Sequence, residues 1–290
     1  MSVARATLRT LLLLLIVALI LPPTLAVRLA AVVGGPLLER FGLRAGVWFQ
    51  TLWARASLAA LGIELDVEGR PPPGQYVVVS NHLSYLDILV LASLFPGRFV
   101  AKSEIAGWPL FGVLARSVAT IFIERGRSRD VVRAAERMRR SLAAGLGVTV
   151  FPEGGATRGA EVERFHPALF ESAARLGLGC LPVALSYSTP GEPWAPAYTV
   201  CWWGGMPLLP HLGRFLRLRR VCARVRWAAA PLTGSDRKRL AERSRVAVER
   251  VFDPVPQHPP SPDPWVRKLV ESPGGSGSGA ASQVGGVPEL

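Results

Sequence analysis

Residues Val77 to Leu89 read VVVSNHLSYLDIL, and this stretch changes character halfway along. Three consecutive valines are β-branched and suit an extended strand. The strand ends near Ser80, and a helix begins near Ser84. A strand that feeds a helix across so short a connection is the repeating unit of an α/β domain. The same alternation continues downstream. RFVA (98–101), VATIFI (118–123), GVTVF (147–151), CLPVALSY (180–187) and VCARVRWAA (221–229) are further short β-branched runs. Helical stretches lie between several of them, at Ser84–Leu94, Ser128–Ala144, Ala168–Leu176 and Ser235–Val251. The pattern predicts an α/β fold with a mostly buried sheet flanked by helices.

Within the opening stretch, His82 falls in the connection after the strand, where an α/β scaffold commonly presents reactive side chains. Asp87 follows five residues later. On one continuous helix the two side chains would point to different faces. With His82 ahead of the helix and Asp87 in its first turn, they can meet. The carboxylate would then accept the imidazole N–H, fix the tautomer and leave the other nitrogen free as a base. The spacing has a second reading. Ser84 to Asp87 is also a capping box, in which Asp87 serves only the helix start. Both readings stay open on spacing alone, and they are compatible.

The N-terminus is of another kind. Arg5 and Arg9 precede an uncharged run from Thr10 to Val27 that contains LLLLLIVALIL. A signal peptide fits the basic start, but no clean small-residue cleavage site follows. A membrane anchor fits better, although the run is marginal for a full span of roughly 20 apolar residues. Pro22 and Pro23 are expected to interrupt it, since each lacks a backbone donor. Residues Leu37 to Leu61 mix Phe41, Trp48, Phe49 and Trp53 with Arg40, Arg44 and Arg55. That mixture suits the second arm of an interfacial helical hairpin, or an ordinary helix packed on the domain. Three segments result: anchoring helices over 1–65, the α/β domain over 66–255, and a Pro/Gly/Ser-rich tail over 256–290 expected to be disordered.

Composition agrees with a membrane setting. Of 290 residues, 49% are hydrophobic and 19% charged, and the formal net charge is +13. Mean hydropathy is +0.28. Nearly all the basicity is arginine, which also fits a compositional bias. The excess positive charge suits membrane lipids or a phosphate-bearing substrate. No zinc-finger spacing or recognition-helix pattern supports nucleic acid as a partner. Cys180, Cys201 and Cys222 lack metal-ligand spacing and read as buried thiols in a reducing compartment. His82, His166, His211 and His258 form no local metal cluster.

NHLSYLD (81–87) resembles the N-H-x-x-x-x-D motif of the glycerolipid acyltransferase family, whose members include 1-acyl-glycerol-3-phosphate acyltransferases. Three further blocks resemble that family's motifs in the same order. GWPLFGVLARSVATIFIERG (107–126) carries the Pro109 and Gly112 spacing and ends in Ile121-Phe122-Ile123-Glu124-Arg125. FPEGGATRG (151–159) is similar to its F-P-E-G motif. CLPVALSY is similar to its proline-containing apolar strand, with Pro182. One motif would be weak, and four in order are specific. One departure stands out: many members read F-P-E-G-T-R, whereas Gly155 and Ala156 here separate Gly154 from Thr157-Arg158.

The resemblance implies an O-acyltransferase that moves an acyl group from acyl-CoA or acyl carrier protein to a lysophospholipid hydroxyl. The leading expectation is the sn-2 hydroxyl of 1-acyl-glycerol-3-phosphate, giving phosphatidate. Another lyso-acceptor, such as a lyso-ornithine lipid or lysophosphatidylglycerol, is the alternative, and a non-catalytic lipid-binding protein is a third. His82 is implied as general base and Asp87 as its support. Lys102, Arg125, Glu153, Gly154 and Arg158 are implied in substrate binding, with Arg125 gripping phosphate. The two-residue shift puts the role of Arg158 in doubt. No metal or other cofactor is implied. The soluble donor places the catalytic domain on the cytoplasmic side of the inner membrane.

Overall fold

The computed structural model describes residues 2–108, 111–123 and 128–266. Two long helices open the chain, α1 (Ser2–Val33) and α2 (Gly35–Leu61). They pack against each other as a hairpin. Their contact is close because Gly42 has no side chain; a Cβ there would lie 2.2 Å from the Ala31 Cβ. α1 runs through Pro22 and Pro23 without a break, contrary to the expectation from sequence. The two prolines forfeit two helical hydrogen bonds. A third bond is added when the Thr24 hydroxyl donates to the Ile20 carbonyl at 2.6 Å.

The two arms differ in what they cover. α2 lies along the domain and buries Ala54, Leu58 and Leu61 in its main core. Polar side chains fasten it along its length: Arg44 Nε donates to Ala144 O (2.6 Å), Gln50 Nε2 to Gly97 O (3.1 Å) and Thr51 Oγ1 to Ala92 O (2.9 Å). α1 packs outside α2, and only 6% of its most apolar window is buried in the protein. Leu11, Leu14, Leu15, Leu19, Leu25 and Leu29 face outward. A leucine-rich face of that extent suits a lipid surface. The basic start of α1 turns inward instead. Arg9 Nη1 donates to Leu216 O and Leu218 O, at 3.2 and 2.7 Å.

Seven strands form one sheet among the described residues: β1 (Ile63–Glu68), β2 (Val77–Ser80), β3 (Gly97–Lys102), β4 (Ile121–Ile123), β5 (Gly147–Val150), β6 (Cys180–Ser188) and β7 (Val221–Trp227). Their order is β1-β7-β6-β2-β5-β3-β4. All neighbours are parallel except β6 with β7. β2 and β5 are buried along their whole length and β6 over all but its last residue, which explains their unbroken apolar sequences. The helices α3 (Leu86–Leu94), α4 (Phe111–Ser117), α5 (Ser128–Ala143), α6 (Glu171–Leu176), α7 (Pro196–Thr199), α8 (Leu208–Phe215) and α9 (Arg237–Glu249) complete the chain. β1 is an edge strand whose acids pair with the arginines of β7 and the residue before it. Glu64 meets Arg220, Asp66 meets Arg224 and Glu68 meets Arg226.

The segment 256–266, expected to begin the disordered tail, packs on the domain. Ser261 and Val266 are buried, and Ala195 N donates to Pro259 O at 2.8 Å. Prolines supply extended backbone there, and Val266 and Trp265 supply the apolar contact.

Candidate active site

β2, β5 and β6 lie side by side, and the loops after their C-terminal ends converge, as in other parallel sheets that bind ligands. The first loop begins with Asn81. Its Nδ2 donates to Leu185 O (2.9 Å), and its Oδ1 accepts from Leu185 N (2.8 Å). The side chain thus extends the β2–β6 ladder past the end of the strand. His82 then turns out of the sheet with its side chain 20% exposed.

His82 Nδ1 lies 2.7 Å from Asp87 Oδ2. A carboxylate only accepts, so Nδ1 carries the proton and Nε2 keeps its lone pair. Asp87 is fully buried. Its Oδ2 also accepts the N–H groups of Leu83 (2.6 Å) and Ser84 (3.0 Å), and its Oδ1 accepts the Tyr187 hydroxyl (2.7 Å). The dyad and the capping role therefore coexist. Only half of the capping box is made, because Asp87 N bonds the Ser84 carbonyl and the Ser84 hydroxyl has no partner.

The turn after β5 encloses His82 from the other side. The Phe151 ring stacks on the imidazole with centroids 4.2 Å apart and planes 18° from parallel. Thr157 N donates to the His82 carbonyl at 2.8 Å, and the Thr157 hydroxyl does so at 3.3 Å. Gly154 adopts φ +82°, a conformation that favours glycine. Glu153, implied in substrate binding by the resemblance, points into the protein. Its Oε2 accepts His82 N at 2.6 Å and its Oε1 accepts Glu163 N at 2.9 Å. It is 6% exposed. Burial pushes its carboxyl up to about 8, against the pull of those two N–H groups.

The remaining candidates are spread more widely. Lys102 ends β3 at the same edge of the sheet and is half-buried. Arg158 is half-buried on the turn that holds His82, and its carbonyl accepts from Gln257. Arg125 lies outside the described residues, as do Pro109 and Glu124. Trp202 and Trp203 pack on the core, each N–H donating to a backbone carbonyl. Cys180 and Cys201 are buried thiols as expected, whereas Cys222 is half-exposed. Burial pushes the Cys180 thiol up to about 12, which removes it as a nucleophile. Sequence reasoning missed Tyr187 and the holding roles of Asn81, Phe151 and Thr157.

Comparison with known proteins agrees with this architecture. A family profile described as "Acyltransferase" matches residues 64–186. A lyso-ornithine lipid O-acyltransferase of Pseudomonas aeruginosa is 38% identical over 197 residues, covering 68% of this chain and 75% of that protein. A 1-acyl-sn-glycerol-3-phosphate acyltransferase of Neisseria meningitidis is 32% identical, covering 66% and 75%. The crystal structure of the 1-acyl-sn-glycerophosphate acyltransferase PlsC from Thermotoga maritima shares the fold. Its TM-score is 0.60 at 20% identity, over 87% of this chain and 98% of that one. The strand order, the N-terminal hairpin and these matches lead to one conclusion: the chain belongs to the acyltransferase family, as an O-acyltransferase of the lyso-lipid type.

Proposed function

We propose that this protein esterifies the free hydroxyl of a lyso-lipid in a ternary complex, with His82 as general base. The observation that carries the reading is the 2.7 Å contact between His82 Nδ1 and the buried Asp87, which leaves the Nε2 lone pair free on a side chain that solvent reaches. Nε2 takes the proton of the acceptor hydroxyl as its oxygen attacks the thioester carbonyl. The tetrahedral intermediate collapses, the C–S bond breaks, and the departing thiolate takes the proton back from His82. Asp87 supports the imidazolium through the middle of this cycle. General-base help of this kind contributes roughly 10²–10⁴ in rate.

The acceptor we favour is a lyso-ornithine lipid. The 38% identity to the Pseudomonas enzyme supports it, and so does the two-residue shift of Arg158 away from the family's common F-P-E-G-T-R pattern. The 32% identity to the Neisseria enzyme supports 1-acyl-glycerol-3-phosphate as the second reading. Lys102, Arg125 and Arg158 are the candidates for the head group. The exposed leucines of α1 hold the enzyme at the membrane, and a soluble thioester donor puts the site on the cytoplasmic side.

The test is acyl transfer by the purified protein in vesicles, from labelled acyl-CoA or acyl carrier protein to lyso-ornithine lipid, 1-acyl-glycerol-3-phosphate and lysophosphatidylglycerol separately. Turnover should be fastest with lyso-ornithine lipid and fall by about 10²–10⁴ in His82→Ala. Phosphatidate as the sole product would replace the first acceptor by the second. An active His82→Ala variant would remove the histidine from the mechanism.

A further inference from the structure

Asp87 has two carboxylate oxygens, and they are used unequally. Oδ2 takes three donors, from His82, Leu83 and Ser84, all within the same turn of chain. Oδ1 has one partner, the Tyr187 hydroxyl at 2.7 Å, contributed from 100 positions further along. Tyr187 is buried, and its backbone lies in the β6–β7 ladder opposite Ala223. Two residues before it, Leu185 pairs with Asn81 through both its N–H and its carbonyl. β6 therefore grips the His82 turn at two points: the residue before the histidine, and the carboxylate behind it.

We propose that Tyr187 is a positioning residue for acyl transfer, whose hydroxyl fixes the orientation and proton affinity of Asp87 and through it the basicity of His82. The inference rests on the reading of His82 as general base. The physics is a competition for one carboxylate. A hydroxyl donating to Oδ1 stabilises the negative charge on Asp87. It thereby moderates the pull of Asp87 on the imidazole proton. It also fixes the Oδ1 end of a carboxylate whose Oδ2 is already held by Leu83 N and Ser84 N, which sharpens the aim of Oδ2 at Nδ1. Burial first, and then the neighbouring Asp87, hold the Tyr187 hydroxyl well above its ordinary pKa, so it remains a donor throughout the working range. The titratable groups around Asp87 are His82, Tyr85, Glu153, Tyr187 and Cys201. Burial keeps Tyr85 and Cys201 protonated as well. Glu153, which burial pushes up to about 8, is the neighbouring carboxyl whose charge changes near neutrality.

Tyr187→Phe keeps the ring and its packing and removes only the donor. Its kcat is expected to fall on the order of 10- to 100-fold, the usual worth of a hydrogen bond to a charged group. KM for acyl donor and for lyso-lipid should stay within about two-fold, because Tyr187 is buried behind Asp87. The acid limb of the kcat/KM profile should move to higher pH, by about half a unit or more, since an unopposed Asp87 holds the imidazolium more tightly. NMR titration of the His82 imidazole should move in the same direction. Replacing Tyr187 by 3-fluorotyrosine keeps the shape and strengthens the donor, so the limb should move to lower pH. This second variant serves if the phenylalanine protein does not fold. An unchanged kcat and acid limb in a folded Tyr187→Phe protein would overturn the proposal, as would an unmoved limb with fluorotyrosine. A raised acceptor KM with normal kcat would do the same, since it would put Tyr187 in the binding site. His82→Ala is run beside them. If it stays active, the general-base reading has failed; if it is dead while Tyr187→Phe is normal, only the role of Tyr187 has failed.

Discussion

Glu153→Gln separates two roles that a motif glutamate can have. The two carboxylate oxygens accept His82 N at 2.6 Å and Glu163 N at 2.9 Å. A glutamine offers one carbonyl and one NH₂, so one of these buried N–H groups would face a donor. Losing one hydrogen bond and orphaning one N–H costs about 2–4 kcal/mol. The deficit should depend on pH. The folded carboxyl titrates near 8, above its ordinary 4.5, so the native state holds a proton that the unfolded chain has released. Wild-type stability therefore falls as pH rises from 4.5 to 8. The glutamine variant lacks that slope, and the difference between the two is largest near pH 5. Urea unfolding in detergent at pH 5 and pH 8 measures both.

The kinetic consequence is sharper. Where the amide turns its NH₂ toward His82 N, the bond lost is the one to the His82 backbone, and on the proposed mechanism His82 then shifts relative to Asp87 and to the acceptor hydroxyl. Misplacement by about 1 Å can cost on the order of 10²-fold in rate. kcat should fall to that extent while the KM for lyso-lipid stays within about two-fold, because the carboxylate faces the interior. A several-fold rise in acceptor KM with kcat intact would refute this reasoning, since only direct contact with the lipid produces it.

Three further outcomes follow from the same structure. Burial pushes His211 down to about 4, so its protonation favours unfolding, and stability should be lost as pH falls from 6.5 through 4; His211→Gln should flatten that slope in thermal melts. Asn81→Ala strips the partners from Leu185 N and O in a buried strand and should cost about 2–4 kcal/mol by urea unfolding. Leu15→Ser with Leu19→Ser removes apolar area from the outward face of α1 and should weaken vesicle partitioning by at least about ten-fold in a flotation assay, with the fold unchanged by circular dichroism.

Much of this was legible in the sequence, for identifiable reasons. Strands buried on both faces are largely apolar runs, so β2, β5 and β6 could be read directly. β1 could not: IELDVE alternates with acids, and those acids make sense only beside arginines some 156 positions later. The prolines of α1 mislead because packing along α2 holds the helix through two missing donors, a tertiary contact the local sequence does not announce. His82 and Asp87 were readable as a pair because one turn of chain joins them. Glu153 was readable as a motif residue, but sequence carries no sign of the direction its carboxylate takes. Tyr187 gave no signal, since it lies in a strand buried over all but its last residue and only the fold reveals where its hydroxyl points.

The strand order explains why the motifs function as a set. β2 carries the histidine and lies between β5 and β6. The turn after β5 therefore reaches the imidazole face and the backbone of His82. β6 reaches Asn81 and Asp87 from the opposite side. Apart from Asp87, which opens α3, the described partners of the His82 turn come from these three adjacent strands and the loops that follow them. β3 is one strand beyond β5, so Lys102 ends a strand ~10 Å from β2 across the sheet, and β4 is further out still. On our reading these outer residues and the 155–158 stretch meet the head group. Head-group choice is then physically separate from proton transfer. A change such as the Gly155-Ala156 insertion can redirect the acceptor while Thr157 still holds the His82 carbonyl. On this reading the centre of the sheet holds the His82 turn, and recognition of the head group is left to its edge.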